Sequence, residues 1–173
     1  ANSLVGTTTD DVVGADGVTA LSNGNYVVRS SAWNNGAATF AGAVTFGSGT
    51  TGVSGAVSAA NSLVSTTAND FVGGLAITLL STGNYVVRNP CWTNGAAACA
   101  GAVTFGSGTT GVSGVISAAN SLVGTTANDR VGINGVTALA NGNYVVASSF
   151  WNNGALLQAG AVTFGSGTTG ISG

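Results

Sequence analysis

Self-similarity at a fixed period is what most constrains the fold of this chain. Asn2-Ser3-Leu4-Val5, Asn61-Ser62-Leu63-Val64 and Asn120-Ser121-Leu122-Val123 recur 59 residues apart. Gly24-Asn25-Tyr26-Val27-Val28 returns as Gly83-Asn84-Tyr85-Val86-Val87 and Gly142-Asn143-Tyr144-Val145-Val146. The string Ala-Gly-Ala-Val-Thr-Phe-Gly-Ser-Gly-Thr-Thr-Gly starts unchanged at Ala41, Ala100 and Ala159. Such a period requires each copy to adopt one local structure and to bury its apolar surface against its neighbours. The expected units are 1–59, 60–118 and 119–173, forming one continuous tandem-repeat domain.

Each unit reads as four short strands. In the first copy, Val18 to Leu21 and Asn25 to Arg29 flank Ser22-Asn23-Gly24, a tight turn signalled by Asn-Gly. Ala41 to Phe46 is a third strand, and Ser3 to Thr7, with its counterpart Ser62 to Thr66, a fourth. Apart from Ala, strong helix formers are few, so the expected class is all-β. Ala43-Val44-Thr45-Phe46 carries apolar or small groups on both faces, which predicts sheets covered on both sides. Four-stranded sheets stacked as β-propeller blades fit that pattern. A threefold β-trefoil or β-prism is the alternative.

The side-chain inventory narrows function. The chain has no Lys, Glu, His or Met, and only Arg29, Arg88 and Arg130 are cationic. Proton transfer and covalent catalysis draw mostly on His, Glu and Lys, so no enzymatic activity and no cofactor are expected. Three scattered arginines cannot neutralise a run of phosphates; neither nucleic acid nor a membrane is an expected partner. No apolar run reaches the ~20 residues of a spanning helix, and a soluble chain is expected. With no His and only Cys91 and Cys99, no zinc cage can be built. Asp11, Asp70 and Asp129 share one register, as turn carboxylates that accept backbone N–H groups would.

Two features are candidates for chemistry. Cys91 and Cys99 occur in the middle copy alone and flank an interstrand loop; they read either as a disulfide or as two buried thiols. Trp33, Trp92 and Trp151 each precede a polar Gly turn. Trp33, Asn34 and Asn35, Trp92 and Asn94, and Trp151, Asn152 and Asn153 form a candidate carbohydrate surface, with indoles stacking on sugar faces and amides reading hydroxyls. The other reading is that each Trp plugs a seam between sheets.

These motifs resemble the integrin-type FG-GAP repeat of β-propeller blades. Asp11-Val12-Val13-Gly14, Asp70-Phe71-Val72-Gly73 and Asp129-Arg130-Val131-Gly132 look like that family's blade opening. Asn23-Gly24-Asn25-Tyr26-Val27-Val28 looks like its turn and strand, Val86-Val87-Arg88-Asn89-Pro90 like its proline-ended strand, and Gly42-Ala43-Val44-Thr45-Phe46-Gly47 like its third strand. The calcium-binding form of the turn needs carboxylates, because Ca²⁺ takes six to eight oxygen ligands. Ser22-Asn23-Gly24-Asn25, Ser81-Thr82-Gly83-Asn84 and Ala140-Asn141-Gly142-Asn143 offer none, so no calcium is expected there. The unit is also similar to 59-residue tandem repeats of large secreted bacterial proteins of the adhesin or filamentous-haemagglutinin kind. That likeness implies a non-catalytic structural or adhesive module at the bacterial surface or outside the cell. A carbohydrate-binding lectin is the second reading. Unpaired strands at the two ends further predict head-to-tail self-association, as a dimer completing a six-bladed ring or as a trimer.

Overall fold

The computed structural model describes residues 2–173. Within them the chain is all-β, with no helix, and so no helix long and apolar enough to cross a membrane. In chain order the strands are β1 (Leu4–Val5), β2 (Val18–Ala20), β3 (Tyr26–Ser30), β4 (Ala43–Gly47), β5 (Gly55–Ala56), β6 (Ser62–Val64), β7 (Thr78–Leu79), β8 (Tyr85–Asn89), β9 (Ala102–Gly106), β10 (Gly114–Val115), β11 (Ser121–Val123), β12 (Gly135–Ala138), β13 (Tyr144–Ser148) and β14 (Ala161–Gly165). They make several small sheets, none closed on itself. The chain divides into two compact units.

The first unit is the stretch up to Leu75 together with Ser107–Val115. Its main sheet has the order β10-β6-β4-β3-β2. Strands β2, β3, β4 and β6 run antiparallel in sequence order, so the fourth strand of this meander comes from the following copy of the repeat. Strand β10 then pairs with β6 in parallel, as β5 does with β1. The β2–β3 hairpin turns at Gly24, whose φ of +87° glycine adopts without steric cost. Trp33, Ala43, Val57 and Val64 form the core, with Leu4 and Val13 packed against them.

The second unit comprises Ala76–Gly106 and Ile116–Gly173. The meander is repeated as β7-β8-β9-β11, and a three-stranded sheet β12-β13-β14 follows. Leu80, Val86, Val103, Val131, Tyr144 and Val146 are its core.

Two side-chain devices explain the sequence periodicity. Tyr26, Tyr85 and Tyr144 lie opposite Gly47, Gly106 and Gly165 in antiparallel register. The phenol ring occupies the place of a Cβ, which at each of these glycines would fall 2.2 Å from the tyrosine Cζ. Thr45 and Thr104 share hydrogen bonds of 2.7 Å with Ser62 and Ser121 on the fourth strand, both buried. A small, paired hydroxyl can thus stand inside the sheet stack without leaving an unsatisfied polar group.

The predicted strands appear with ends moved by at most two residues. The double coverage expected of Ala43-Val44-Thr45 is present, since all three are buried, as are Ala102, Val103 and Thr104. β5 and β10 were not foreseen: two residues each, Gly-Ala and Gly-Val, they carry no alternation to reveal them.

Candidate functional site

Each copy places an aspartate, a tryptophan and a Gly turn together. Asp11 sits at the centre of the first such cluster and is 3% exposed. Its Oδ2 accepts the N–H groups of Thr7 (2.7 Å) and Thr8 (2.9 Å). Its Oδ1 accepts the Thr8 hydroxyl (2.6 Å), the Asn34 N–H (3.0 Å) and Asn34 Nδ2 (2.9 Å). Burial alone would raise this carboxyl, but the Thr8 hydroxyl and the N–H groups of Thr8, Asn34 and Thr7 outweigh it and hold the pKa at about 2. An anion so fixed is a brace for two loops and a poor proton donor.

The third copy repeats the arrangement. Asp129 accepts from the N–H groups of Thr125 and Thr126 and from the backbone and side-chain amides of Asn152. In the middle copy Ser65 replaces Gly6 and Gly124, and its hydroxyl donates to Asp70. The same Ser65 hydroxyl oxygen accepts the Thr67 N–H at 3.0 Å, so this side chain links the carboxylate to the loop backbone.

The tryptophans are turned inward. Trp33 is 3% and Trp92 6% exposed, so neither presents an indole face to solvent. Trp33 lies against Ala43, Val57 and Val64, and its Nε1 has no hydrogen-bond partner. Trp151 is half-buried on the core of the second unit and borders a cleft. Trp33 and Trp92 are thus packed away from solvent, while part of the Trp151 ring stays open to the cleft.

The neighbouring amides are engaged within the protein. Asn34 Oδ1 accepts the Phe40 N–H, and Asn152 Oδ1 accepts the Gln158 N–H. Asn35 Nδ2 donates to the Ser65 carbonyl (2.8 Å) and Asn94 Nδ2 to that of Gly124 (2.9 Å), each reaching into the next copy. Asn153 is exposed. The structure therefore places the eight predicted carbohydrate residues in three equivalent loops, and turns amide groups of Asn34, Asn35, Asn94 and Asn152 to partners within the protein.

The hairpin turns behave likewise. Asn23 Nδ2 and Asn25 Nδ2 both donate to the Gly108 carbonyl, while Thr82 Oγ1 and Asn84 Nδ2 donate to that of Gly167. Arg29 reaches the carbonyls of Gly73 and Asp16, and Arg88 those of Gly132 and Ile133. Asp16 Oδ2 also accepts the Ser31 N–H at 2.7 Å. Cys91, exposed, and Cys99, half-buried, are both thiols.

A strap not visible in the sequence joins consecutive copies. Phe71 N–H donates to the Phe40 carbonyl and Val72 N–H to Ala41; Arg130 and Val131 repeat this on Cys99 and Ala100. Phe40, Phe71, Cys99 and Arg130 all have positive φ, between 49° and 53°, despite bulky side chains. Non-glycine residues hold such conformations only where the surrounding structure imposes them. Val12 and Gln158, at the same two repeat positions but outside any strap, share the positive φ (33° and 51°), so the local turn sets it. The strap is accompanied by ring contacts, Phe40 stacking on Phe71 with centroids 5.7 Å apart and the Arg130 guanidinium lying 5.7 Å from the Phe150 centroid.

With this geometry in view, a family model described as a repeat of unknown function, DUF5650, matches residues 1–15, 20–74, 79–133 and 138–173. The chain belongs to the DUF5650 repeat family. The match confirms tandem repetition and lends no support to an FG-GAP identity. The DUF5650 unit at 20–74 begins on the last residue of β2 and contains β3, β4 and β6, so it brackets the meander of one sheet. No curated protein matches the chain.

Proposed function

We propose that this DUF5650 chain is a non-catalytic structural or adhesive repeat module of an extracellular bacterial surface protein. One observation carries the reading. The groups best able to do chemistry or read a ligand, Asp11, Asp129, Asn34, Asn152 and the indoles of Trp33 and Trp92, are committed to holding loops and seams. The low charge and the likeness to secreted adhesin-type repeats favour an extracellular location. The four-stranded meanders favour blade-like units whose work is to extend and present surface. A lectin acting through the Trp loops has weaker support, because stacking needs an exposed ring and two of the three are covered.

The test is surface shaving of intact source bacteria with protease, followed by detection of peptides from this chain. Release of those peptides without cell lysis is the expected result. Recovery from the cytosolic fraction alone would refute the location, and saturable binding on a glycan array lost in a Trp151→Ala variant would favour the lectin.

A further inference from the structure

We infer that Arg130, held on the ring of Phe150, is a binding site for a single carboxylate, and that its occupant is a protein segment carrying an acidic residue beside an apolar one. The inference rests on these side chains and does not depend on an extracellular location. It begins with where the copies differ. All three carry different residues only in the registers of Val12, Ala15, Asp16, Ala32, Thr39 and Phe40. These registers lie in two loops that are bonded together: the Ser31 N–H donates to Asp16, the Ser149 N–H donates to Asn134, and Phe40 stacks on Phe71, which is in the register of Val12. Relaxed constraint on exposed loops does not account for the variation. The turn at Thr50-Thr51 is equally exposed, yet it is unchanged at Thr109-Thr110 and Thr168-Thr169. A repeat scaffold that keeps its framework and varies one cluster of loop side chains presents that cluster for recognition.

Within the cluster, Arg130 carries a charge that nothing in the protein answers. Arg29 and Arg88 occupy another register and give their guanidinium N–H groups to backbone carbonyls. The half-buried guanidinium of Arg130 has no hydrogen bond and no ion pair among the described residues. What it has is Phe150, over whose ring it lies 5.7 Å from the centroid. That distance is within cation–π range, which holds the group in place and leaves its N–H edges free. Asp129, the adjacent acid, is 0% exposed and has its oxygens on Thr125, Thr126 and Asn152. No other acidic residue falls in the second unit.

A planar fork of N–H donors pairs with a carboxylate through two parallel hydrogen bonds. One such cation, with Arg88 bonded to carbonyls, suits one carboxylate and not a polyanion. Apolar surface adjoins the charge, because Phe150 is 37% exposed and half-buried Ile133 closes the turn that Arg130 opens. An acidic sugar would need groups to read its hydroxyls, yet the Asn134 side chain accepts from Ser149, and the Asn152 amide is engaged by Asp129 and Gln158. An acidic residue next to an apolar one in a protein segment matches both halves of the site. The exposure belongs to the register and not to one copy. Cys91, the counterpart of Phe150, and Phe71, the counterpart of Arg130, are exposed in the middle copy as well.

The test is an NMR titration of the isotope-labelled 173-residue chain, whose three arginines give three side-chain Nε–H resonances. The probes are a blocked peptide with one glutamate beside one phenylalanine, its glutamine counterpart, and sodium glucuronate. The glutamate peptide should move the Arg130 resonance saturably and leave those of Arg29 and Arg88 in place; the glutamine peptide should bind at least tenfold more weakly. Arg130→Val should abolish the shifts of the neighbouring backbone amides, and Phe150→Ala should weaken binding severalfold. Both substitutions introduce residues that the first copy already carries in those registers, Val12 and Ala32, and the amide spectrum verifies the fold. An Arg130 resonance that does not move, an equal response to the glutamine peptide, or shifts that persist in Arg130→Val would each overturn the inference. Tighter binding of glucuronate than of the glutamate peptide would overturn the assignment to a protein segment.

Discussion

Replacing Gly106 with alanine would put a methyl carbon 2.2 Å from Tyr85 Cζ and 2.3 Å from Cε2. Carbon atoms pack best at about 3.5–4.0 Å, so more than ~1 Å must be recovered by moving something. Tyr85 is 0% exposed and cannot swing outward. The strain therefore falls on the β8–β9 backbone, and overpacking of this kind costs about 1–3 kcal/mol. For a chain of this length, each kcal/mol lowers Tm by about 2–4 °C, so a fall of roughly 2–12 °C is expected in a thermal melt. Gly95→Ala is the control: its Cβ meets nothing within 4 Å, leaving only the penalty of φ +58°, about 1–2 kcal/mol. The decisive measurement is a double-mutant cycle with Tyr85→Val. Removing the ring relieves the clash, so the double variant should be more stable than the sum of the single losses by about 1–3 kcal/mol. Strict additivity would refute the view that the Tyr–Gly pair is one packing unit. Gly47→Ala should be milder, because Tyr26 is only half-buried and its ring can yield.

Asp11, held at a pKa of about 2 against an ordinary 3.8, stabilises the fold above the ordinary value. That contribution is lost as pH falls from about 4 to 2; Tm measured across this window should drop, and Asp11→Asn should flatten the slope. The Tyr144 hydroxyl is buried with no hydrogen-bond partner, and its pKa is pushed up to about 12 by burial. Tyr144→Phe should therefore leave stability unchanged or raise it by about 1 kcal/mol in denaturant unfolding, and a clear loss would reveal a partner. Acrylamide should quench a minority of the tryptophan fluorescence, and Trp151→Phe should remove most of the quenchable part; equal quenching of all three indoles would contradict the burial of Trp33 and Trp92.

The strands were legible because each obeys a local rule. Asn23-Gly24 announces a hairpin turn, and the Val-rich runs beside it can do little but pair. The fate of the tryptophans was not legible, since what covers Trp33 is Val64, brought in from the following copy. No local pattern distinguishes an indole facing solvent from one awaiting a partner so far along the chain. The aspartates could be read as turn carboxylates from their register alone. The choice of Asn34 and Asn152 as their side-chain partners required the loop geometry. The positive φ angles at Phe40, Phe71, Cys99 and Arg130, shared by Val12 and Gln158 at the same repeat positions, left no trace in composition, because none of these residue types favours that conformation.

The borrowing of each fourth strand from the following copy bears on how such arrays change in length. A duplication or deletion that spans one whole period, wherever in the period its breakpoints fall, joins a third strand to a Ser-Leu-Val strand that already suits it. No new surface has to be selected, and copy number can drift by recombination between near-identical segments while every internal seam remains the one described for β4 and β6.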